Sequence, residues 1–242
     1  MLPPKRCGYR LVTIHKKMKD RYQLEKWIWN QNDFEQMGWH DNPIWAMSFD
    51  DDVKFDLDYL LKWVKPKDNI GGYKFWISPA TLIFKNPTNF KVEMETDFVN
   101  GLEVADIERK TQNGKTQFII EAQEGRILIE TEEFTQIIRR PPTLQINQML
   151  NDIERGPISF SMIPEKDYKP SEQEIKGRTL SYKLDEHRNL KTSVQIEYDE
   201  FNFEEIEPKE RILKKREYKN KIEELKRKIG HIENEMSKIY GW

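Results

Sequence analysis

Pro43-Ile44-Trp45-Ala46-Met47-Ser48-Phe49, then Asp50-Asp51-Asp52, then Val53-Lys54-Phe55-Asp56-Leu57-Asp58-Tyr59 is the stretch on which the fold turns. The first run is apolar and the aspartates break it. In the second, Val53, Phe55, Leu57 and Tyr59 alternate with Lys54, Asp56 and Asp58. Period two is the mark of a half-buried strand, so the two runs read as a β-hairpin under an acidic turn. Phe75-Trp76-Ile77-Ser78-Pro79-Ala80-Thr81-Leu82-Ile83-Phe84 follows as a third apolar run.

Outward from this core, strand signals recur as far as about residue 140. Asn100-Gly101 and Asn113-Gly114 are turn dipeptides, because both residues tolerate positive φ. The second predicts a hairpin joining Val104–Lys110 to Thr116–Glu121. Glu124-Gly125 turns into Arg126–Thr131, and Phe134–Ile138 gives another short strand before Pro141-Pro142, which lack the ladder donor. Leu144–Arg155 reads as a short helix or an extended piece, and Gly156–Pro164 as one more strand. The predicted fold class is α+β, mainly β: an antiparallel sandwich or open barrel over 39–163. A helical or irregular segment, 1–38, is expected to pack on it. Pro164–Lys176 reads as a linker. Within 164–207 a second β-hairpin is predicted from the alternation of Leu180, Tyr182 and Leu184, a turn at Asp185–Asn189, and Val194, Ile196 and Tyr198.

The C-terminal part, 208–242, is of another kind. From Pro208, a favoured first helical residue, no proline interrupts the chain. Ile222, Leu225, Ile229, Ile232, Met236 and Ile239 are spaced 3, 4, 3, 4, 3, the seam of a coiled-coil type amphipathic helix. The rest of the helix is basic, with 11 Lys and Arg against 6 Glu, while 197–207 carries six acids and no base. This seam is the predicted interaction surface, for another protein, for a second copy of the chain, or for the chain's own N-terminal segment.

The chain has 242 residues, a net charge of −2 and 34% charged residues, against a usual share of roughly 25%. Seven Trp, nine Tyr and twelve Phe still supply a core and exclude wholesale disorder. The near-neutral balance speaks against a globally basic nucleic-acid binder and leaves room for a local basic patch. One cysteine, Cys7, forbids an internal disulfide and fits a reducing compartment. The N-terminal residues have no apolar run behind them and no run reaches the ~20 residues of a membrane span, so a cytoplasmic protein without membrane contact is expected.

Trp39-His40-Asp41 with Ile44-Trp45-Ala46, Leu57-Asp58-Tyr59-Leu60-Leu61-Lys62-Trp63-Val64, the run Phe75–Phe84, and Gly101-Leu102-Glu103 leading to Ile107-Glu108-Arg109 form an ordered set of motifs. Ile120-Glu121-Ala122-Gln123-Glu124-Gly125, Phe134-Thr135-Gln136-Ile137-Ile138-Arg139 and Glu154-Arg155-Gly156 complete it. With these, residues 34–162 resemble a family of small uncharacterised bacterial proteins. The resemblance implies a shared fold over about half of the chain and carries no activity. Toxin immunity or phage defence is a setting that suits such proteins, and the region after it looks like an addition.

Chemistry has few candidates. His40-Asp41 is the catalytic one, as an acid/base couple or a pair of metal ligands, although only four histidines exist to complete a site. Asp51, Asp52, Asp56 and Asp58 are the metal candidates. Asp50-Asp51-Asp52 lacks calcium-loop spacing, and Asp56 and Asp58 share one strand face roughly 7 Å apart. A metal-dependent hydrolase or nuclease built on His40, Asp41 and the Asp50–Asp58 acids is therefore the alternative function. Trp39, Trp45, Trp63 and Trp76 read as core or rim rather than a ligand pocket, and Arg139-Arg140 with Arg126 and Arg155 as possible binders of phosphate or carboxylate. No phosphate loop, nucleophile elbow or zinc spacing occurs, so no cofactor is expected. The absence of a catalytic constellation favours a non-enzymatic protein-interaction module.

Overall fold

The computed structural model describes residues 22–66, 71–95, 101–112 and 115–241. The strands are β1 (Ile28–Asn30), β2 (Asn42–Phe49), β3 (Val53–Val64), β4 (Lys74–Phe84), β5 (Asn89–Met94), β6 (Leu102–Gln112), β7 (Lys115–Ala122), β8 (Gly125–Glu130), β9 (Phe134–Ile138) and β10 (Thr143–Gln145). The helices are α1 (Asp152–Arg155), α2 (Glu172–Glu200) and α3 (Pro208–Tyr240), and a 3-10 turn covers Gln31–Gln36. The strands form one antiparallel sheet in the order β1-β9-β4-β3-β2-β6-β7-β8-β5, with β10 also on β4.

This sheet curls. In a flat sheet β4 and β7 would lie about 19 Å apart at four strand spacings, yet the rings of Phe84 and Phe118 are 5.3 Å apart. Phe118 of β7 and Phe134 of β9, five strands apart, sit at 5.4 Å. Among the described residues the two edges, β1 and β5, do not pair, so the result is an open barrel. Register shifts at Ile44/Ala46, Leu60/Lys62 and Val104/Asp106 supply bends of the kind that curl strands.

Alternation sets the two faces of β3. Phe55, Leu57 and Tyr59 join Trp39, Phe84, Phe118 and Phe134 in the barrel core. The Trp39 indole N–H donates to Gln136 Oε1 at 2.7 Å inside it, which satisfies a buried donor. Gly125 sits at φ 146, and a Cβ there would come within 2.1 Å of the Glu93 carbonyl oxygen of β5, so close strand approach demands glycine.

Several expectations are corrected. The described part of 1–38 is irregular with one 3-10 turn, started by a capping box from Asn30 and Asp33, but its Ile28–Asn30 is a sheet strand. β5 is an additional strand, in which Phe90, Val92 and Met94 alternate with Lys91 and Glu93. Gly156–Pro164 forms no ladder; it is an extended strap across β3 and β4, tied down by side chains. The second β-hairpin is absent, because Glu172–Glu200 is a single α-helix. Ser171 caps it by accepting from the Glu174 N–H, and Glu174 reaches back to the Ser171 N–H. Leu180 and Leu184 are four residues apart and line one face of that helix.

α2 and α3 form an antiparallel hairpin. Its base is tied to the barrel: the Tyr182 hydroxyl donates to the Leu144 carbonyl at 2.6 Å, Lys74 pairs with Asp185 at 3.2 Å, and Arg178 with Glu154 at 2.5 Å. Among the described residues, no hydrogen bond or ion pair joins 186–231 to the sheet. At 1.5 Å per residue, α2 runs on for about 22 Å beyond Asp185, so the hairpin projects as an arm. Its tip is closed by the rings of Tyr198, Phe201, Phe203 and Tyr218.

Candidate functional site

The outer face of β3 carries the densest charge. Asp56 and Asp58 are fully buried there, opposite Thr81 and Pro79 of β4. Asp56 pairs with Arg139 Nη2 at 2.5 Å and with the Arg155 guanidinium, and accepts from the Ser159 N–H at 2.9 Å. Arg139 also donates to the Ser159 carbonyl. Asp58 accepts from the Leu150 N–H at 3.0 Å and faces Arg155 Nε at 3.5 Å. Both arginines are 5% exposed, and the Trp45 ring covers the Arg155 guanidinium at 4.8 Å. Two carboxylates and two guanidiniums thus balance in a closed space. The strap and α1 supply the covering groups.

Burial pushes the Asp58 carboxyl up to about 6, against the lowering effects of the Leu150 N–H, Arg155 and Trp45. Burial also pulls Arg139 below its ordinary value, although Asp56 opposes this. A perturbed carboxyl is a candidate for chemistry, but here its two oxygens are turned to a backbone N–H and an arginine. The cluster works as a clamp that holds the strap on the sheet.

The other sequence candidates lie apart from it. His40 is 73% exposed in its side chain and pairs with Asp41 at 2.6 Å. Asp41 has φ 62, and its second oxygen accepts from Gln148 Nε2 at 2.7 Å. This pair fixes the turn into β2. Asp52 pairs with Lys85 at 2.7 Å and Asp50 with Lys54 at 2.7 Å, while Asp51 is an exposed turn residue. Among the described residues no group of three or more His, Cys, Asp or Glu is arranged to hold a metal. Of the remaining arginines, Arg126 pairs with Glu93 and Arg140 lies 4.1 Å from the Tyr168 ring. Trp39 is core, Trp63 packs edge-on to Phe75 at 5.1 Å and Trp76 tilts on Tyr22 at 5.5 Å, so the tryptophans form no common pocket. Cys7 lies outside the described residues.

The predicted seam of α3 exists, but its partner lies within the chain. Ile229, Ile232, Met236 and Ile239 pack on Leu180 and Leu184 of α2. Leu225 is buried and Ile222 half-buried. Of the partners open to the seam, the one it meets lies in its own chain, and it is α2 rather than the N-terminal segment. What stays open is the opposite side of α3. At 100° per residue, Lys209, Ile212, Leu213, Arg216 and Asn220 cluster about 180° around the helix from the seam. Ile212 and Leu213 are 67% and 66% exposed, in a helix whose other apolar residues are mostly covered. Residues 208–221 carry seven Lys and Arg against two Glu. The sequence held this signal, but the regular seam outweighed an adjacent pair without periodicity.

No protein-family model matches the chain, and no curated protein does. An uncharacterized protein from Neisseria gonorrhoeae, known from a crystal structure, aligns at 14% identity and a TM-score of 0.29. That alignment covers 45% of this chain and 95% of the other, and a likeness of this strength carries no argument. Among the described residues no helix is long and apolar enough to cross a membrane.

Proposed function

We propose that the chain is a non-enzymatic interaction protein, in which an open barrel holds a helical arm and the arm binds another protein. The observation that carries this reading is the side of α3 facing away from α2. Ile212 and Leu213 stand two-thirds exposed there, on a helix that already buries its seam. Exposed apolar patches rimmed by polar residues mark interaction surfaces, and Lys209 and Arg216 flank this pair on the same side of α3. The groups that would serve hydrolysis are engaged otherwise: Asp56 and Asp58 clamp the strap, and His40 with Asp41 braces a turn. Proteins encoded beside the chain's own gene are the first partners to test, as suits a subunit of an immunity or defence complex.

The test is a photo-crosslinking residue at position 213 in the native host, with position 115, on the barrel, as control. A discrete adduct at 213, absent at 115 and lost with Ile212→Asp, is expected. Equal and diffuse labelling at both positions would overturn the reading.

A further inference from the structure

The side of α3 turned away from α2 carries charge of one sign. At 100° per residue, Lys209, Ile212, Leu213, Arg216 and Lys219 fall on it, and all are exposed, with the aliphatic pair between Lys209 and Arg216. The acids nearby do not neutralise it. Glu207 falls on the seam side, while Glu210 and Glu217 fall on the flanks, where Lys214 holds Glu217 at 3.1 Å. Glu204 is taken by Arg211, itself on the seam side, at 3.0 Å. The ion pairs of α3 use Arg211, Lys214, Lys226 and Lys228, and among the described residues none uses Lys209, Arg216 or Lys219. The first acid on this side is Glu223, one turn past Lys219, and Lys226 holds it at 2.8 Å. The uncompensated positive face therefore runs from 209 to 219, about 15 Å or roughly three helical turns.

Resting on the interaction reading above, we propose that the partner of the arm is an acidic amphipathic helix of another protein, laid along α3 between Lys209 and Lys219, with aliphatic residues at its middle and carboxylates about one turn to either side of them. A helix has no free backbone edge, because its N–H and C=O groups bond to one another along the axis, so recognition falls to side chains. Those of α3 stand in rows three and four residues apart, and the side chains of a second helix pack between such rows. Ile212 and Leu213 bury against the partner's aliphatics, an attraction without direction. The three cations fix the register and select against basic helices. A second copy of α3 brings the same cations to this face and is repelled. A phosphate backbone would pair with the cations but leave the aliphatic pair in water, and a long polyanion following the helix would meet Glu223 and Glu224. The seam on α2 remains intact, so association requires no refolding of the hairpin.

The experiment is the photo-crosslink at position 213 in the native host, made in the otherwise wild-type chain and in a chain carrying Lys209→Glu, Arg216→Glu and Lys219→Glu. All three positions are exposed, and circular dichroism with thermal melting checks that the variant keeps its fold. In the wild-type background, mass spectrometry is expected to map the adduct to a protein segment with more Asp and Glu than Lys and Arg, its acids three or four residues from large aliphatics. The yield is expected to fall by about tenfold or more in the charge-reversed chain. Changing the mapped acids to lysine should weaken the adduct with the wild-type arm and restore it with the reversed arm, since every pairing is then again opposite in sign. A yield unchanged by the reversal, a mapped segment without acidic excess, or a double reversal that fails to restore the adduct would overturn the proposal. The two readings fall separately. A discrete protein adduct indifferent to charge sinks the acidic partner and leaves the interaction reading standing; an adduct to nucleic acid or lipid, or no discrete adduct, sinks both.

Discussion

Replacing Asp56 by asparagine probes the clamp that holds the strap. The side chain keeps its size, so no cavity opens. Its charge is lost, and one oxygen becomes an amide that can only donate. Arg139 and Arg155, each 5% exposed, then face a neutral group where both had a carboxylate. Breaking a buried pair in this way costs about 3–5 kcal/mol, because the leftover charge stays desolvated. That is a large share of a stability of about 5–15 kcal/mol. For a chain of this size each kcal/mol moves the midpoint by about 2–4 °C, so Tm should fall by about 6–20 °C. The loss should begin locally. Amide exchange at Ser159 and Ser161, whose strap is tied to Asp56 and Thr81, should accelerate before the barrel strands do. Scanning calorimetry and exchange mass spectrometry read the two effects. A Tm within about 2 °C of wild type, with unchanged exchange over 156–164, would refute the reasoning, since that shift corresponds to under about 1 kcal/mol.

Asp58 gives a prediction in pH. Its carboxyl is raised from its ordinary value to about 6 in the fold, chiefly by burial, so its contribution is fully present below the unfolded value and is lost as pH rises through about 6. The urea-derived stability of wild type minus that of Asp58→Asn should fall by on the order of 3 kcal/mol between pH 4 and 7, at 1.36 kcal/mol per unit; a flat difference would count against it. Arg155→Met should raise the Asp58 titration further, because Arg155 lowers it, and carboxyl NMR shifts would follow the change. Gly177→Ala would bring a Cβ within 2.1 Å of the Tyr240 hydroxyl. It should destabilise by about 1–3 kcal/mol, despite the helical preference for alanine, and its cost should largely vanish in a Tyr240→Ala background, where the clashing hydroxyl is gone; a stabilised single variant by thermal melting would contradict this. Leu225→Asp with Ile229→Asp should melt the arm itself, seen as lost helical circular dichroism, whereas Ile212→Asp with Leu213→Asp should leave the spectrum intact.

The hairpin was legible because Val53–Tyr59 alternates and Asp50–Asp52 breaks the chain before it, and Phe75–Phe84 because it is an apolar run between polar turns. The helix α2 was not, and the reason lies in three residues. Leu180, Tyr182 and Leu184 satisfy period two, but Leu180 and Leu184 alone also satisfy a helical turn. The polar stretch Asp185–Asn189 then read as a turn when it is a solvated piece of helix. The signal that decides between them was present at Ser171 and Glu174, a capping box. In the strap, apolar residues between two prolines mimicked a strand, while the ties are made by Asp56, Arg139 and Thr81 from far along the chain. Asp56 and Asp58 were correctly placed on one strand face. Their partners could not be read, because Arg139 follows Asp56 by 83 residues and no local pattern links them. The seam of α3 was legible in full; which helix it meets depended on recognising α2.

The claim that the outward side of α3 is a working surface is tested most directly by thiol protection. With Cys7 replaced by serine and Leu213 by cysteine, a membrane-permeant maleimide labels position 213 in the native host and in the dilute purified chain. Strong protection in cells, with rapid labelling in the dilute chain and at an arm position on α2 such as Thr192, is the result expected. Equal labelling of position 213 in both settings would contradict it.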